Sequence, residues 1–395
     1  MKAEDKKSKE KGQILIVIGI VLSALSLRPG IVSIGPTINL ISNHFELSHS
    51  IGALLTTIPD LSMGLLALPA PLLARKFGRN KLILFALITL FISLLIRAFS
   101  VNTLVLLLAT AGVGAGIAIA GTLISGFIKA KFPIRAAFMI GIYSTTIGLG
   151  STFSAIATGP VASYFQDWRL AIGIWAVPAL LSILGWYIIC RADKKSEIKI
   201  SIKEPNHLKP WKSIHAWKVA LFFACVNLIF YSFLAWTVAL FEEKGLSSSK
   251  SGILLGCFTF FSMIASPVIG FVSKSKDRRI WIFIFSIFIL VGLIVLAVNP
   301  LISPAVIICL IGFGLGGVFT IGMTLPLDYT TTVTHSDSWT AFTLCVGYLI
   351  AALGPFAIGL IRDLTGDFQY SIFFLLAVSL LMIAIGTRLK PMIHE

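Results

Sequence analysis

At 395 residues, 57% of them hydrophobic and only 12% charged, the chain carries more apolar side chain than a soluble domain can bury. The formal net charge of +15 could suggest a nucleic-acid ligand, but the basic residues are placed in a way that argues against one. Lys and Arg gather in alternate loops, at the N-terminal arm, Arg75 to Lys81, Lys129 to Arg135, Arg191 to Lys218 and Lys274 to Arg279. The intervening loops, His44 to His49, Gln166 to Arg169 and Glu242 to Lys250, carry little or no net positive charge. That alternation is the positive-inside pattern of a membrane protein with both termini in the cytoplasm. The loop around His335 and Asp337 lacks the expected bias.

Twelve apolar runs of membrane-spanning length follow in order. They cover 14–40, 50–74, 82–100, 104–128, 136–163, 168–190, 216–241, 250–273, 279–298, 303–328, 338–361 and 368–388. Barrel strands would be about half as long and alternating, so the fold class is an all-α membrane protein. The arm 1–13 is short, charged and expected to be mobile. The first run is too long for a cleaved signal and contains Arg28. A charge near a helix centre costs roughly 2.5–3.5 kcal/mol on insertion scales, so Arg28 calls for an anionic partner.

The second half repeats the first. Gly52, Leu54, Leu55, Ser62 and Met63 recur 200 positions later as Gly252, Leu254, Leu255, Ser262 and Met263. Gly112, Gly114 and Gly116 match Gly312, Gly314 and Gly316 at the same offset, and Gly159-Pro160 matches Gly354-Pro355. The polar segment 191–215 divides a six-helix unit, 14–190, from a second, 216–389, with a tail at 390–395. The glycine triads read as close-packing surfaces rather than nucleotide loops, because no strand precedes them. At the 200 offset Arg28 faces Leu228 and Asp60 faces Phe260, so both charges are one-sided additions to the repeat.

The stretch Arg75-Lys76-Phe77-Gly78-Arg79-Asn80-Lys81 resembles the loop signature of the major facilitator superfamily, with Arg75 where an acidic residue is usual. Leu27-Arg28-Pro29, Leu54 to Pro59, Gly347 to Pro355 and Asp363-Leu364-Thr365-Gly366, in that order, resemble its cyanate permease and 2-nitroimidazole transporter branch. The resemblance covers almost the whole chain. It implies two six-helix bundles related by an axis along the membrane normal, with a substrate site between them near the midplane. It also implies a secondary active transporter of a small anionic or polar solute, working by alternating access, coupled to a proton or another ion and functional as a monomer. The setting would be a prokaryotic plasma membrane. Asp60 departs from the branch, where an apolar residue is more usual, and so does Asp328, where relatives often carry a basic residue.

Arg28 lies about fifteen residues into its helix, ~22 Å at 1.5 Å per residue, and Asp60 about ten residues, ~15 Å, from the outer end of the next. Two readings stand: a private ion pair, or Arg28 as anion-binding residue with Asp60 as ion-coupling residue. The resemblance places the first, fourth, seventh and tenth helices around the cavity. On the seventh, Asn227 and Tyr231 share a face, able either to bind substrate or to join helices. Tyr143 and Tyr348 are further substrate-binding candidates. Trp236 reads as an interfacial anchor, and Arg97, Glu242, Glu243, Arg362 and Asp363 as residues snorkelling near helix ends.

His44, His49 and His335 read as loop residues, and the five cysteines as small buried hydrophobes. No metal, cofactor or nucleic acid is expected. No catalytic motif appears in a suitable context, so the chain does not read as an enzyme. The alternatives are a proton-coupled exporter of hydrophobic drugs, suggested by the glycine-rich fifth helix (Gly148, Gly150 and Gly159), and a non-transporting sensor or scaffold.

Overall fold

A membrane-spanning helix must satisfy its backbone internally, because lipid offers no hydrogen bonds. The computed structural model describes residues 2–132, 135–192, 210–273, 277–330 and 333–390, and twelve spans emerge from them. Span α1 starts as Lys2–Leu27, breaks, and resumes through Pro29–Val32, a tight turn at Gly35–Thr37 and Ile38–Phe45. Then come α2 (His49–Ala67 with Pro69–Phe77), α3 (Arg79–Ala98), α4 (Thr103–Lys131), α5 (Ala136–Phe165) and α6 (Trp168–Gly173 with Ala176–Ala192). The second unit comprises α7 (Ile214–Glu243), α8 (Ser248–Val272), α9 (Arg279–Val298), α10 (Pro304–Asp328), α11 (Val333–Ala351 with Leu353–Thr365) and α12 (Gln369–Gly386).

The helices outrun the apolar runs, most of all at α1, where the expected mobile arm is helical from Lys2 onward. Most of the expected linker, the tail beyond Lys390, loop residues 274–276 and the side chains of His335 and Asp337 lie outside the described residues. Chain ends and the α6–α7 connection share one side of the array, called the linker end below; the other side is the far end. The two units meet along three seams: α1 against α7, α2 against α11, and α5 against α8.

Lipid supplies no hydrophobic drive between helices, so small residues that let backbones approach carry the packing. A Cβ on Gly114 would stand 2.6 Å from the Cα of Pro59 in α2, and one on Gly116 would stand 2.8 Å from the Ala86 carbonyl oxygen in α3. In the second unit Gly312 and Gly316 meet α8, at Phe258 and Ser262, while Gly314 meets α9 at Phe285. The triads therefore serve the packing predicted for them, but their faces are not matched by the 200 offset: the packing equivalence is slipped by about half a turn. Leu104, Phe153, Val177 and Phe283 are exposed on the outside of the array, where acyl chains would cover them.

The chain turns between α2 and α3 at Gly78, φ +87°, and α11 stops at Gly366, φ +78°, whose N–H donates to the Arg362 carbonyl at 2.9 Å. Both conformations favour glycine. Packing also makes a testable contrast. Gly114→Leu should cost more than 1 kcal/mol through overpacking against Pro59, whereas Gly126→Ala, with nothing within 4 Å of its Cβ position, should be neutral. Thermal unfolding of the two purified variants in detergent measures the difference.

Candidate functional site

Proline at position 29 has no N–H to give the carbonyl of Leu25, and α1 breaks immediately before it. Arg28 sits at that break, half-buried, with φ −96° and ψ −33°. Its Nη1 donates to the hydroxyl of Tyr231 in α7 at 2.6 Å, and its guanidinium carbon lies 5.6 Å from the centre of the same ring. A hydrogen bond from a charged group contributes about 1.5–3 kcal/mol, so this contact ties the two units together at mid-membrane. The Tyr231 ring packs edge-on against Tyr348 of α11 at 6.1 Å, and Phe223 meets Tyr348 at 6.2 Å.

Asp60 is completely buried in α2, directly after Pro59, and neither carboxyl oxygen has a hydrogen-bond partner. It lies within the electrostatic reach of Arg28 without bonding to it, so the private ion pair is not formed in this arrangement. Tyr143 of α5 is 5% exposed, and its hydroxyl comes to 3.9 Å from where a Cβ on Gly121 of α4 would stand. Asn227 is fully buried, and its Nδ2 turns back to the Phe223 carbonyl of its own helix at 2.8 Å, leaving Oδ1 unpartnered. The structure thus brings Arg28, Tyr231 and Tyr348 together with Asp60 nearby. It does not bring Asn227 into a hydrogen bond with Arg28.

Three expectations about helix ends need correction. Arg97 does not snorkel: it is wholly buried, and its Nη1 donates to the Gly30 carbonyl at 2.7 Å. Trp236 is not an interfacial anchor either; it is 3% exposed, with its indole N–H donating to the Pro355 carbonyl at 2.9 Å. The far-end charges are engaged with protein. Asn39 Nδ2 donates to Glu242 at 2.5 Å across the α1–α7 seam, and Arg362 Nε donates to Glu243 at 2.8 Å.

Asp363 reaches across the α2–α11 seam. Its carboxylate accepts the backbone N–H groups of His49 and Ser50, both at 2.8 Å, and meets His49 Nδ1 at 2.9 Å. His49 is therefore not a loop residue but the first residue of α2, and its ring leans on Trp236 and Phe368. His44 likewise falls inside a helix, Ile38–Phe45. A carboxylate suits this place, because it answers N–H groups that have no partner within the helix, and the helix dipole favours it. Gly359 makes the approach feasible, since a Cβ there would stand 2.6 Å from the His49 carbonyl oxygen. Further in, Thr57 Oγ1 donates to the Ala352 carbonyl at 3.1 Å, and Thr152 and Thr259 join α5 to α8 at 3.0 Å. These seam contacts lie at the middle of the spans or toward the far end. At the linker end Asp328, which departed from the branch pattern, pairs with Arg278 at 2.5 Å within the second unit.

Two helical units enclosing a charged group at their shared seam, within a multi-pass membrane protein, define a solute-transporter architecture. The Major Facilitator Superfamily pattern matches residues 16–355, and the chain belongs to that family, whose members are transporters and not enzymes. It is 28% identical to the 2-nitroimidazole transporter of Escherichia coli (strain K12), over 95% of this chain and 95% of that one. It is 26% identical to the cyanate transport protein CynX of the same organism, over 89% of this chain and 91% of that one. The branch resemblance read from the motifs is borne out. The fold is also that of a bacterial homolog of the human lysosomal transporter Spinster in an inward-facing, unoccupied conformation, with a TM-score of 0.78, 16% identity and 96% coverage of each chain.

The Asp363 contact gives a direct check on the far-end seam. Asp363→Ala should shift the ratio of this conformer to one with the far-end seam open by about 5- to 150-fold, the range for losing about 1–3 kcal/mol of hydrogen bonding. Spin labels in a cysteine-free background at Tyr164 and Val298, 82% and 75% exposed near the far ends of α5 and α9, would report this as a longer distance. An unchanged distance distribution would show the contact to be dispensable.

Proposed function

We propose that the protein is a secondary active transporter of a small anionic or polar solute, with Arg28 as the residue that binds it. The observation carrying this reading is the placement of Arg28 at the break in α1, half-buried, with a hydrogen bond from its guanidinium crossing to Tyr231 of the other unit. A guanidinium held by a neutral phenol keeps its full charge, and it has donors left for an anion. Tyr231 and Tyr348 stand beside it as hydrogen-bonding and stacking surfaces, with Tyr143 on the α4–α5 side.

Asp60 is the coupling residue in this reading. A carboxyl group without water or donors is costly to ionise, and a neighbouring cation offsets part of that cost. When an anion occupies Arg28, that offset weakens, so proton uptake at Asp60 and substrate binding at Arg28 become linked. The basic loops support a linker end on the cytoplasmic side of a prokaryotic plasma membrane, and in that orientation the far end faces outside. This conformer is then closed to the outside. The chain acts as a monomer, since each unit supplies one side of the site.

The names of the two relatives suggest first probes: cyanate, a linear anion, and 2-nitroimidazole, a planar heteroaromatic. The alternative of hydrophobic-drug export draws no support from α5. A Cβ on Gly148 would meet Met263 at 2.6 Å and one on Gly150 the Leu25 carbonyl oxygen at 2.6 Å, so these glycines serve helix approach.

In proteoliposomes, Arg28→Ala should abolish uptake of labelled cyanate or 2-nitroimidazole in a protein that still elutes as a single folded species. Normal uptake by that variant would sink the arginine mechanism. Asp60→Asn should uncouple uptake from an imposed proton gradient while leaving exchange across the membrane at equilibrium. A variant that still accumulates solute against its gradient would remove Asp60 from the coupling.

A further inference from the structure

The break in α1 leaves the Gly30 carbonyl without its regular helical donor. Ile34 N–H, which a regular helix would give to the Gly30 carbonyl, goes instead to Ile31 at 3.2 Å as the chain tightens. Arg97 occupies the vacated position: its Nη1 reaches the Gly30 carbonyl at 2.7 Å from the last turn of α3. The neighbouring carbonyl of Pro29 has Ser33 N–H at 3.0 Å and a longer contact from Ser154 Oγ of α5 at 3.4 Å. Outside donors therefore reach the two carbonyls immediately after Arg28.

Two further observations separate Arg97 from an ordinary packing residue. Asp60 and Arg97 are the only charged side chains fully buried among the described residues, and Arg97 spends its charge on a backbone carbonyl rather than a carboxylate. Meanwhile α7, the counterpart of α1 in the second unit, runs unbroken from Ile214 to Glu243. The fold can therefore be built without the break, and what the break adds in α1 is the position of Arg28. Gly30 fixes the geometry from the other side, because a Cβ there would stand 3.0 Å from Val113 Cγ1 of α4 and 3.4 Å from Leu94 of α3.

We infer that Arg97 is a positioning residue for Arg28: it holds the opened turn of α1 through the Gly30 carbonyl, so that the Arg28 guanidinium points across the seam at Tyr231. The inference rests on the reading of Arg28 as the substrate-binding residue, but it can be measured without a substrate. Hydrogen bonding is the means, so lysine at position 97 should substitute and methionine should not. Arg97 lies in the last turn of α3, where the helix dipole favours a cation, and its Nε and Nη2 are buried without a hydrogen-bond partner.

The test is the rate at which phenylglyoxal, an arginine-specific reagent, modifies Arg28 in the purified full-length protein, read by peptide mass spectrometry. Tyr231→Phe, which removes the partner of Arg28, calibrates the rise expected when the side chain is released. Arg97→Met should raise the rate toward that value, on the order of fivefold, as the loss of one hydrogen bond implies. Arg97→Lys should stay at the wild-type rate, and Ser154→Ala should give a smaller rise. A folded Arg97→Met protein whose Arg28 reacts at the wild-type rate would overturn the inference. So would Arg97→Lys reacting as fast as Arg97→Met, since that would make the shape of the arginine matter rather than its donor. Should Arg97→Met fail to fold, Ser154→Ala decides: a wild-type rate there also overturns the inference. Failure of wild-type protein to take up cyanate or 2-nitroimidazole would count against the transport reading alone, leaving the labelling result intact.

Discussion

Lipid donates no hydrogen bonds to the carbonyls of a broken helix, and that constraint organises the centre of this molecule. Pro29 cannot donate to Leu25, and Ile34 N–H turns to Ile31 instead of Gly30, so these two carbonyls lose their regular helical partners. Arg28 O takes the N–H groups of both Ile31 and Val32, at 3.0 and 3.1 Å, and Arg97 and Ser154 reach the next two carbonyls from α3 and α5. Gly150 lets α5 come close to the Leu25 carbonyl. Helices α3, α4 and α5 are thus arranged around one irregular turn, and the side chain that turn releases is Arg28.

Once released, Arg28 meets no carboxylate. It meets the phenol of Tyr231, while Asp60 stays buried nearby with both oxygens unpartnered. A sequence selected for stability alone would join the two charges or remove both, because an unpaired buried charge is more costly than either a good pair or an apolar replacement. Local rules broken without structural compensation are most often broken at functional sites. Separation of cation and carboxyl leaves each able to respond to something that enters, which a closed ion pair would not.

Much of this was legible in the sequence. Runs of about 20 apolar residues reveal spans without further information, and a proline beside an arginine marks the break in α1. Tyr231 is legible through the family resemblance, which lines the cavity with the seventh helix, and through the helical spacing that puts it on one face with Asn227. Other residues could not be placed. Arg97, Trp236 and Asp363 lie within a turn or two of helix ends, where hydropathy does not distinguish a side chain facing lipid headgroups from one facing protein. Asn227 shares a helix face with Tyr231, but a short amide can bond its own backbone, and here it does. The glycine triads matched by number, yet their contacts are displaced by two residues, since an alignment of two apolar helices fixes composition better than rotation.

The Arg28–Tyr231 bond has a double character that links the site to the seam. It is one of the contacts crossing from one unit to the other, and it also occupies a donor of the residue proposed to bind the solute. An anion arriving at Arg28 competes with the Tyr231 hydroxyl, so binding would loosen a mid-membrane tie while the far-end contacts of Asn39 and Asp363 remain. A ligand shifts a conformational equilibrium only by the difference in its affinity for the two states. Under the proposed role of Arg28, that difference would come from the donor that Tyr231 holds in this conformer and releases to the solute. Affinity and the tendency of the units to separate would then be set by the same few atoms, and a substitution that alters one would alter the other.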